Sequence, residues 1–368
     1  MLQFVAPVGR PLKCLLVALA CLSLGSQDVF AGDTDFGRPL QTDLANTIAE
    51  RGLSVIIAVK NGDHAGCLQE FGSFLDDGLS PSETLMDLGS NTKTVTAAAV
   101  LTLVQNGTLT LSTRLGELLD AVPDDKAAIT VSQILNHRAG FPESVGSDEE
   151  KIGKEDYLEG VFATALRSPP GKTYHYSNVG YALLAAIIEN ASGLPYETYV
   201  VEHVLAPADL EPIGYDAAYE ESRSAISGRS WLTFFQRTPI HRASWGGRPV
   251  GWNLVGNGGA VTTAGNYVTF LEKLFAGKIV DKKLILDGFR GSEDGADTID
   301  YGHGMVRLQE TDQTVFTHAG ENILFSSDWR YVLESKTIIF TAGLGDDALR
   351  TMNSVVDSLS ASGSACRQ

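Results

Sequence analysis

Runs of apolar residues near both ends of the chain have the length and composition of β-strands. Residues 53–60 are rich in valine and isoleucine, and the pair Asn61-Gly62 that follows is typical of a tight turn into residues 67–74. Near the other end, residues 329–333 and 337–342 form two further short apolar runs. The pattern therefore predicts a β-hairpin early in the chain and a second pair of strands close to its end.

Helical spacing of apolar residues dominates the rest of the chain. Residues 40–48 repeat leucine and isoleucine at intervals of four, and residues 94–105 are an uncharged run of alanine, valine, leucine and threonine. Further helices are predicted over residues 180–190, 267–275 and 349–359. Strands at both ends around a helical middle indicate a layer of strands closed by both termini, with a helical region beside it.

The length and composition fit one large globular unit. The chain has 368 residues, of which 43% are hydrophobic and 20% are charged, so it can bury a substantial core. We expect residues 34–86 and 300–368 to form a discontinuous α/β layer and residues 87–299 to form the helical region. Together they would make a single domain.

The first 31 residues have the pattern of a secretory signal peptide. Arg10 and Lys13 precede an apolar run over residues 14–24, and small residues lead to a cleavage point after Ala31. Lipid attachment at Cys21 is the alternative, although the residues before it fit a lipoprotein signal poorly. We therefore expect a secreted or periplasmic protein without a membrane span.

The charge and the cysteines limit the partners of the protein. A formal net charge of −17 argues against binding to nucleic acid or to an anionic membrane. After cleavage the chain would keep Cys67 and Cys366, which are able to form one disulfide, but the sequence alone does not establish that they pair. Neither cysteine lies in a zinc-binding pattern. The oligomeric state stays open.

Ser90 and Lys93 are the first candidates for chemistry, at the start of the uncharged helix. Residues three apart on a helix lie on one face, with about 5–6 Å between their Cβ atoms, so Lys93 can reach the Ser90 hydroxyl. A serine is a weak nucleophile until a neighbouring base takes its proton. A lysine in apolar surroundings loses part of its preference for the charged form and can act as that base.

Two further motifs follow along the chain. Tyr176-Ser177-Asn178 is predicted on a loop before an apolar helix, where the tyrosine can relay protons and the asparagine amide can bind a carbonyl. His318-Ala319-Gly320 comes just before the last strands, and its glycine allows an acyl group to approach the backbone closely.

These three motifs, in this order, resemble those of the serine β-lactamase and penicillin-binding-protein superfamily, which includes class C-like esterases and D-alanyl-D-alanine carboxypeptidases. The family motifs are Ser-x-x-Lys, Tyr-x-Asn and Lys-Thr-Gly or His-x-Gly. Residues 134–142 and 258–263 resemble further landmarks of the family. The resemblance implies an α+β fold, namely an antiparallel sheet flanked by helices, to which both termini contribute, with an inserted and mostly helical region.

The resemblance also implies a serine hydrolase that works through an acyl-enzyme and needs no cofactor or metal. Ser90 would be the nucleophile, and Lys93 and Tyr176 would manage its proton. Asn178 would position a small-molecule or peptide substrate, with His318 and Gly320 beside it. The backbone N–H groups of Ser90 and Glu321 would form the oxyanion hole.

The third motif departs from the penicillin-recognising pattern. Its lysine and threonine, which bind a substrate carboxylate in those relatives, are replaced here by His318 and Ala319. We therefore expect an esterase or amide hydrolase whose substrates lack a carboxylate next to the scissile bond, unless Arg307 or Arg330 supplies the missing charge. The alternatives are a β-lactamase or D-alanyl-D-alanine carboxypeptidase and, outside enzymes, a penicillin-binding-like sensor or binding module.

Other hydrolase classes are disfavoured because the chain contains neither a Gly-x-Ser-x-Gly elbow nor a His-Glu-x-x-His zinc motif.

Overall fold

The fold is described from a computed structural model. The described residues are 38–344, without 51, 63, 73–80, 83, 149, 216–226, 229–237, 240–249, 290–299 and 323–324. The α-helices are α1 (Arg38–Glu50), α2 (Thr92–Gln105), α3 (Leu115–Leu118), α4 (Asp124–Ala127), α5 (Val131–Leu135), α6 (Lys154–Ala163), α7 (Asn178–Ser192), α8 (Tyr196–Tyr199), α9 (Ala264–Phe275) and α10 (Lys282–Leu286). The strands are β1 (Ser54–Asn61), β2 (Cys67–Phe71), β3 (Leu85–Asp87), β4 (Ser227–Gly228), β5 (Thr238–Pro239), β6 (Val261–Thr263), β7 (Asp300–Gly302), β8 (Met305–Gln309), β9 (Thr314–Glu321), β10 (Phe325–Val332) and β11 (Thr337–Leu344).

Seven of the strands in the described residues form one sheet, in the order β2-β1-β11-β10-β9-β8-β7. Every neighbouring pair in this sheet is antiparallel. Strand β1 lies between β2 and β11, with Ser54 opposite Leu344 and Asn61 opposite Thr337. The early hairpin and the last strands therefore belong to the same sheet, as the strands at both ends of the chain predict.

Strand β1 is buried on both faces, which explains its continuous run of valine, isoleucine and alanine. On one face, Ile57 joins a cluster with Leu44 and Ile48 of α1. On the other face, Ile56 belongs to the larger core that also contains α2, α7 and α9. The sheet is thus covered by helices on two sides.

Helix α2 runs through the middle of the molecule and is buried from Thr92 to Leu103. Full burial explains why the helix has no charged residue except Lys93. A short 3₁₀ turn, Gly89–Asn91, leads into it. The sequence therefore places one lysine in the centre of the core, next to a serine on the preceding turn.

The predicted fold class is confirmed, since the structure combines an antiparallel sheet with flanking helices. The predicted elements that fall within the described residues are present with shifted ends: β10 begins at Phe325, and α7 begins at Asn178 rather than at residue 180. The predicted signal peptide, the helix over residues 349–359 and Cys366 lie outside the described residues. The division into an α/β layer and a helical region remains a prediction.

None of the helices in the described part of the chain combines the length and the apolarity that a bilayer crossing requires.

Candidate active site

The turn that bears Ser90 is held tightly against strands β9 and β10. Gly89 has a φ of +48°, a conformation that favours glycine, and a Cβ at this position would lie 2.6 Å from the backbone nitrogen of Glu321. Asn91 donates from Nδ2 to Ser327 Oγ at 2.8 Å, and the Ser327 hydroxyl donates to the Leu88 carbonyl at 3.0 Å. Contacts on both sides of Ser90 therefore fix its position relative to the sheet.

Lys93 stands at the centre of the site and is fully buried. Its Nζ lies 3.0 Å from Ser90 Oγ, which confirms that the three-residue spacing brings the two side chains together. Nζ also donates to Asn178 Oδ1 at 2.7 Å and to the Asn257 carbonyl at 2.7 Å. Three oxygen atoms therefore surround the amine.

Burial lowers the pKa of Lys93 well below its ordinary value, although the charges of Asp148 and Glu143 oppose the effect. A neutral amine has two N–H groups and one lone pair. Since Asn178 and Asn257 can take both N–H groups, the lone pair is left to face Ser90 Oγ. This arrangement suits a lysine that accepts the serine proton.

Tyr176 lies on the other side of the same amine. Lys93 Nζ is 4.8 Å from the centre of the Tyr176 ring, and the Tyr176 hydroxyl lies close enough to the Ser90 side chain to influence its own pKa. Burial raises the pKa of Tyr176, so its hydroxyl stays protonated at neutral pH. The tyrosine therefore presents a neutral phenol that can pass a proton on.

The segment bearing Tyr176 and Asn178 is anchored through Ser177. The Ser177 hydroxyl caps α7 by accepting from the Gly180 N–H, and the Ser177 N–H donates to Nδ1 of the buried His137 at 3.1 Å. Asn178 is thus the first residue of α7 rather than part of a loop. The His137 ring also packs against this segment, with its centre 4.5 Å from the centre of the Tyr176 ring.

Strand β9 supplies the third motif. A Cβ on Gly320 would lie 2.0 Å from the Leu88 carbonyl oxygen and 2.9 Å from the Ser90 nitrogen, so only glycine fits there. Glu321, the next residue, ends β9 with an exposed side chain. The backbones of residues 89–90 and 320–321 are therefore in direct contact, as an oxyanion hole built from Ser90 and Glu321 would require.

His318 is held as a neutral ring. Its Nδ1 lies 2.7 Å from the Ala319 carbonyl, which can only accept, so Nδ1 carries the proton. Its Nε2 lies 3.1 Å from the Tyr301 hydroxyl and accepts from it. Burial lowers the pKa of His318 to about 3, and whenever Lys93 is protonated its charge acts in the same direction. No N–H of this ring remains for a substrate carboxylate.

Arg307 and Arg330, the candidates to replace the carboxylate-binding lysine, both have acidic neighbours. Arg307 donates from Nε to Asp300 Oδ2 at 2.6 Å. Arg330 places Nε 4.0 Å from Oδ1 of the buried Asp328. Each positive charge is therefore offset by a carboxylate.

A cavity of about 460 Å³ opens beside Tyr176 and His318. Tyr174 and Tyr301 add aromatic surface to its wall, and Arg330 lies there beside Asp328. The cavity is large enough for a substrate side chain or leaving group. Its aromatic lining and its locally balanced charges suit a group that is largely uncharged.

The structure brings all the predicted site residues together: Ser90, Lys93, Tyr176, Asn178, His318, Gly320 and Glu321. It adds the Asn257 carbonyl, Tyr301 and Asp87, which sequence reasoning missed. Asn257 lies in a glycine-rich stretch that indicates only a tight loop, and neither Tyr301 nor Asp87 belongs to a recognisable motif. Their contributions depend on contacts between distant parts of the chain.

Comparison with known proteins finds similarity over most of the chain. The profile of the family described as Beta-lactamase matches residues 46–342. Penicillin-binding protein 4* of Bacillus subtilis (strain 168) is 25% identical over 285 residues, which cover 72% of this chain and 62% of the relative. Protein flp of Staphylococcus aureus (strain MW2) is 30% identical over 155 residues, which cover 39% of this chain and 30% of the relative. The chain thus spans less than two thirds of the length of these curated relatives.

Among solved structures, the D-amino acid amidase from Ochrobactrum anthropi SV3 superimposes with a TM-score of 0.71 at 22% identity. The superposition covers 88% of this chain and 99% of the amidase. At this level of identity the likeness concerns the fold.

Proposed function

The chain belongs to the Beta-lactamase family, and from this premise we propose that it is a serine hydrolase that cleaves carboxylic esters or amides through an acyl-enzyme on Ser90. The observation that carries the proposal is the surrounding of Lys93 Nζ by Ser90 Oγ, Asn178 Oδ1 and the Asn257 carbonyl. A buried lysine with this set of neighbours is suited to activate a serine, and a purely structural lysine does not need the serine.

In the proposed reaction, Ser90 Oγ attacks the substrate carbonyl carbon while its proton passes to Lys93 Nζ. The carbonyl oxygen becomes an anion that the N–H groups of Ser90 and Glu321 stabilise. The phenol of Tyr176 donates its proton to the departing alkoxide or amine and regains one from Lys93. Water then attacks the acyl-enzyme by the same groups in reverse, which releases the acid and restores Ser90.

The substrate preference follows from the neutral third motif. Both nitrogens of His318 are engaged within the protein, and Ala319 has no hydroxyl. We expect esters and amides without a carboxylate beside the scissile bond to react fastest, because among the described residues that line the cavity the cation Arg330 already lies beside Asp328 and His318 is neutral. An amide is supported as well as an ester, because a protein of the same fold is an amidase.

Export of the protein is part of the proposal. The basic and apolar pattern of the first 31 residues supports a signal peptide, and the disulfide bond of Cys67 suits an oxidising compartment. Expression in a secreting host should release a chain that begins at Gly32, as the intact mass would show. A chain that retains the first 31 residues would contradict export by this route.

The first test combines turnover and intact mass. The purified mature protein and Ser90→Ala are exposed to a panel of p-nitrophenyl esters, to D-phenylalanine amide and to a β-lactam. We expect hydrolysis of an ester or of the amide by the native protein only, with a reduction of at least about 10³-fold in the variant. A mass increase on Ser90 would identify the acyl-enzyme.

The other outcomes separate the alternatives. Rapid cleavage of the β-lactam, or a stable β-lactam adduct, would favour the β-lactamase or D-alanyl-D-alanine carboxypeptidase function and would show that another group binds the carboxylate. The family description and the relative named a penicillin-binding protein keep that candidate in the panel. Binding without turnover or acylation would favour a sensor or binding module.

A further inference from the structure

Asp87 lies next to the site as a buried carboxylate. The proposed proton relay does not use this carboxylate. It ends strand β3, three residues before Ser90, and only 2% of its surface is exposed. Oδ1 accepts from the Gly89 N–H at 2.6 Å, and Oδ2 accepts from Asn322 Nδ2 at 2.8 Å. One oxygen thus binds the turn that bears the nucleophile, and the other binds the segment that follows β9.

Gly89 and Asn322 are each the sequence neighbour of a residue of the expected oxyanion hole. Gly89 directly precedes Ser90, and Asn322 directly follows Glu321. The spacing between the two backbones is tight, because a Cβ on Gly89 would lie 2.6 Å from the Glu321 nitrogen. A single carboxylate therefore bridges the two peptide segments whose N–H groups would bind the oxyanion.

The direction of the bridge is fixed by a further contact. The Phe325 N–H donates to Asn322 Oδ1 at 2.8 Å, so Asn322 must turn its N–H donors towards Asp87. A carboxylate that accepts from donors on both sides makes short, charge-assisted hydrogen bonds. Burial raises the pKa of Asp87 to about 7, against the effect of these hydrogen bonds and with a contribution from the charge of Asp148. The fold retains this acid despite the cost of burying it.

We propose that Asp87 is a positioning residue that, through Gly89 and Asn322, sets the spacing between the N–H groups of Ser90 and Glu321 for the oxyanion. The inference rests on the proposed acyl-enzyme function. Hydrogen-bond donors stabilise a transition-state oxyanion only at about 2.7–3.1 Å, so a small change in spacing lowers kcat. Substrate binding before the attack does not need that spacing.

The test is an exchange of the two bridging side chains. In Asp87→Asn the oxygen of the new amide still accepts from the Gly89 N–H, so its NH₂ group faces the NH₂ group of Asn322 and no hydrogen bond forms between them. In Asn322→Asp two carboxylates face each other. The double variant D87N/N322D restores one donor and one acceptor, while the carboxylate at 322 still accepts from the Phe325 N–H. Both single variants should lose at least about 10-fold in kcat with KM within about twofold, and the double variant should recover kcat to within about threefold.

Thermal unfolding of all three variants separates positioning from folding. If Asp87→Asn retains native kcat, the proposal is wrong. If the double variant regains the native Tm but not kcat, the bridge contributes only to stability, and the proposal is also wrong. If the native protein has no hydrolytic activity that depends on Ser90, the proposed function itself fails. That outcome differs from a native enzyme that is active but whose kcat does not change when Asp87 is replaced.

Discussion

His318 and Lys93 show how burial sets the charge of individual side chains in this site. Burial lowers the pKa of Lys93 well below its ordinary value and the pKa of His318 to about 3. At neutral pH the third motif therefore carries no positive charge on His318, although a histidine side chain in water titrates near neutrality. We therefore expect the proposed site to accept uncharged acyl and leaving groups better than acidic ones.

This charge state predicts a flat pH dependence of substrate discrimination. Between about pH 8 and pH 5, the ratio of kcat/KM for a carboxylate-bearing ester to that for its uncharged analogue should change by less than about twofold. The reason is that His318 stays neutral throughout this range, since its pKa lies below it. His318→Gln, which cannot become charged, is the matched control and should give the same ratio. A ratio that rises about tenfold towards pH 5 in the native protein alone would mean that His318 becomes protonated.

At the scale of elements, the site depends on how closely strand β9 approaches the turn before α2. The approach is possible because Gly320 has no side chain to meet the Leu88 carbonyl and the Ser90 nitrogen. Its backbone does not need glycine for conformational reasons, as no left-handed φ occurs there. The requirement is one of space between two elements.

Gly320→Ala should therefore lower kcat by at least about 100-fold, because the methyl group pushes β9 away from Ser90. Gly193→Ala is the control: Gly193 has a φ of +74° at the end of α7, and a Cβ there meets nothing within 4 Å. The control should lose only about 1 kcal/mol of stability, from backbone strain, with native kcat. Measuring kcat and Tm for both variants checks this, and equal losses of kcat would contradict the steric explanation.

The sequence predicts the elements of the site better than their contacts. Ser90 and Lys93 could be paired from local spacing on an apolar helix, because three residues of helix bring them to one face. The Asn257 carbonyl, 164 residues from Lys93, has no such local signal. The bridge from Asp87 to Asn322 spans 235 residues and depends on how the sheet meets β3. Local rules predict helix faces, whereas these contacts require the assembled tertiary structure.

At the scale of the whole molecule, Cys67 adds a covalent link. It lies buried on β2, the edge strand of the sheet next to β1, and it is disulfide-bonded. The remaining cysteines of the chain, Cys14, Cys21 and Cys366, lie outside the described residues. If the first 31 residues are removed on export, Cys366 is the cysteine that remains as a partner for Cys67. This is the pair that the sequence alone could not establish.

Removal of this link should lower the stability of the fold. Cys67→Ser is expected to cost about 2–5 kcal/mol in the free energy of unfolding, because the unfolded chain gains freedom when the crosslink is lost. A reductant should lower the Tm of the native protein and leave that of the variant unchanged. Peptide mapping should find Cys67 joined to Cys366 in the exported chain. An unchanged Tm of the native protein after complete reduction would contradict the prediction.

The position of β1 between β2 and β11 also constrains when the chain can fold. One edge of residues 54–61 pairs with the nearby strand β2, but the other edge finds its partner only in residues 337–344, so the sheet cannot close until residue 344 has been synthesised. Until then β1 exposes one unpaired edge, and the nascent polypeptide stays incompletely folded. For the export proposed above, a chain that cannot close its sheet early would remain threadable through a narrow translocation channel, and its topology would delay folding until after passage.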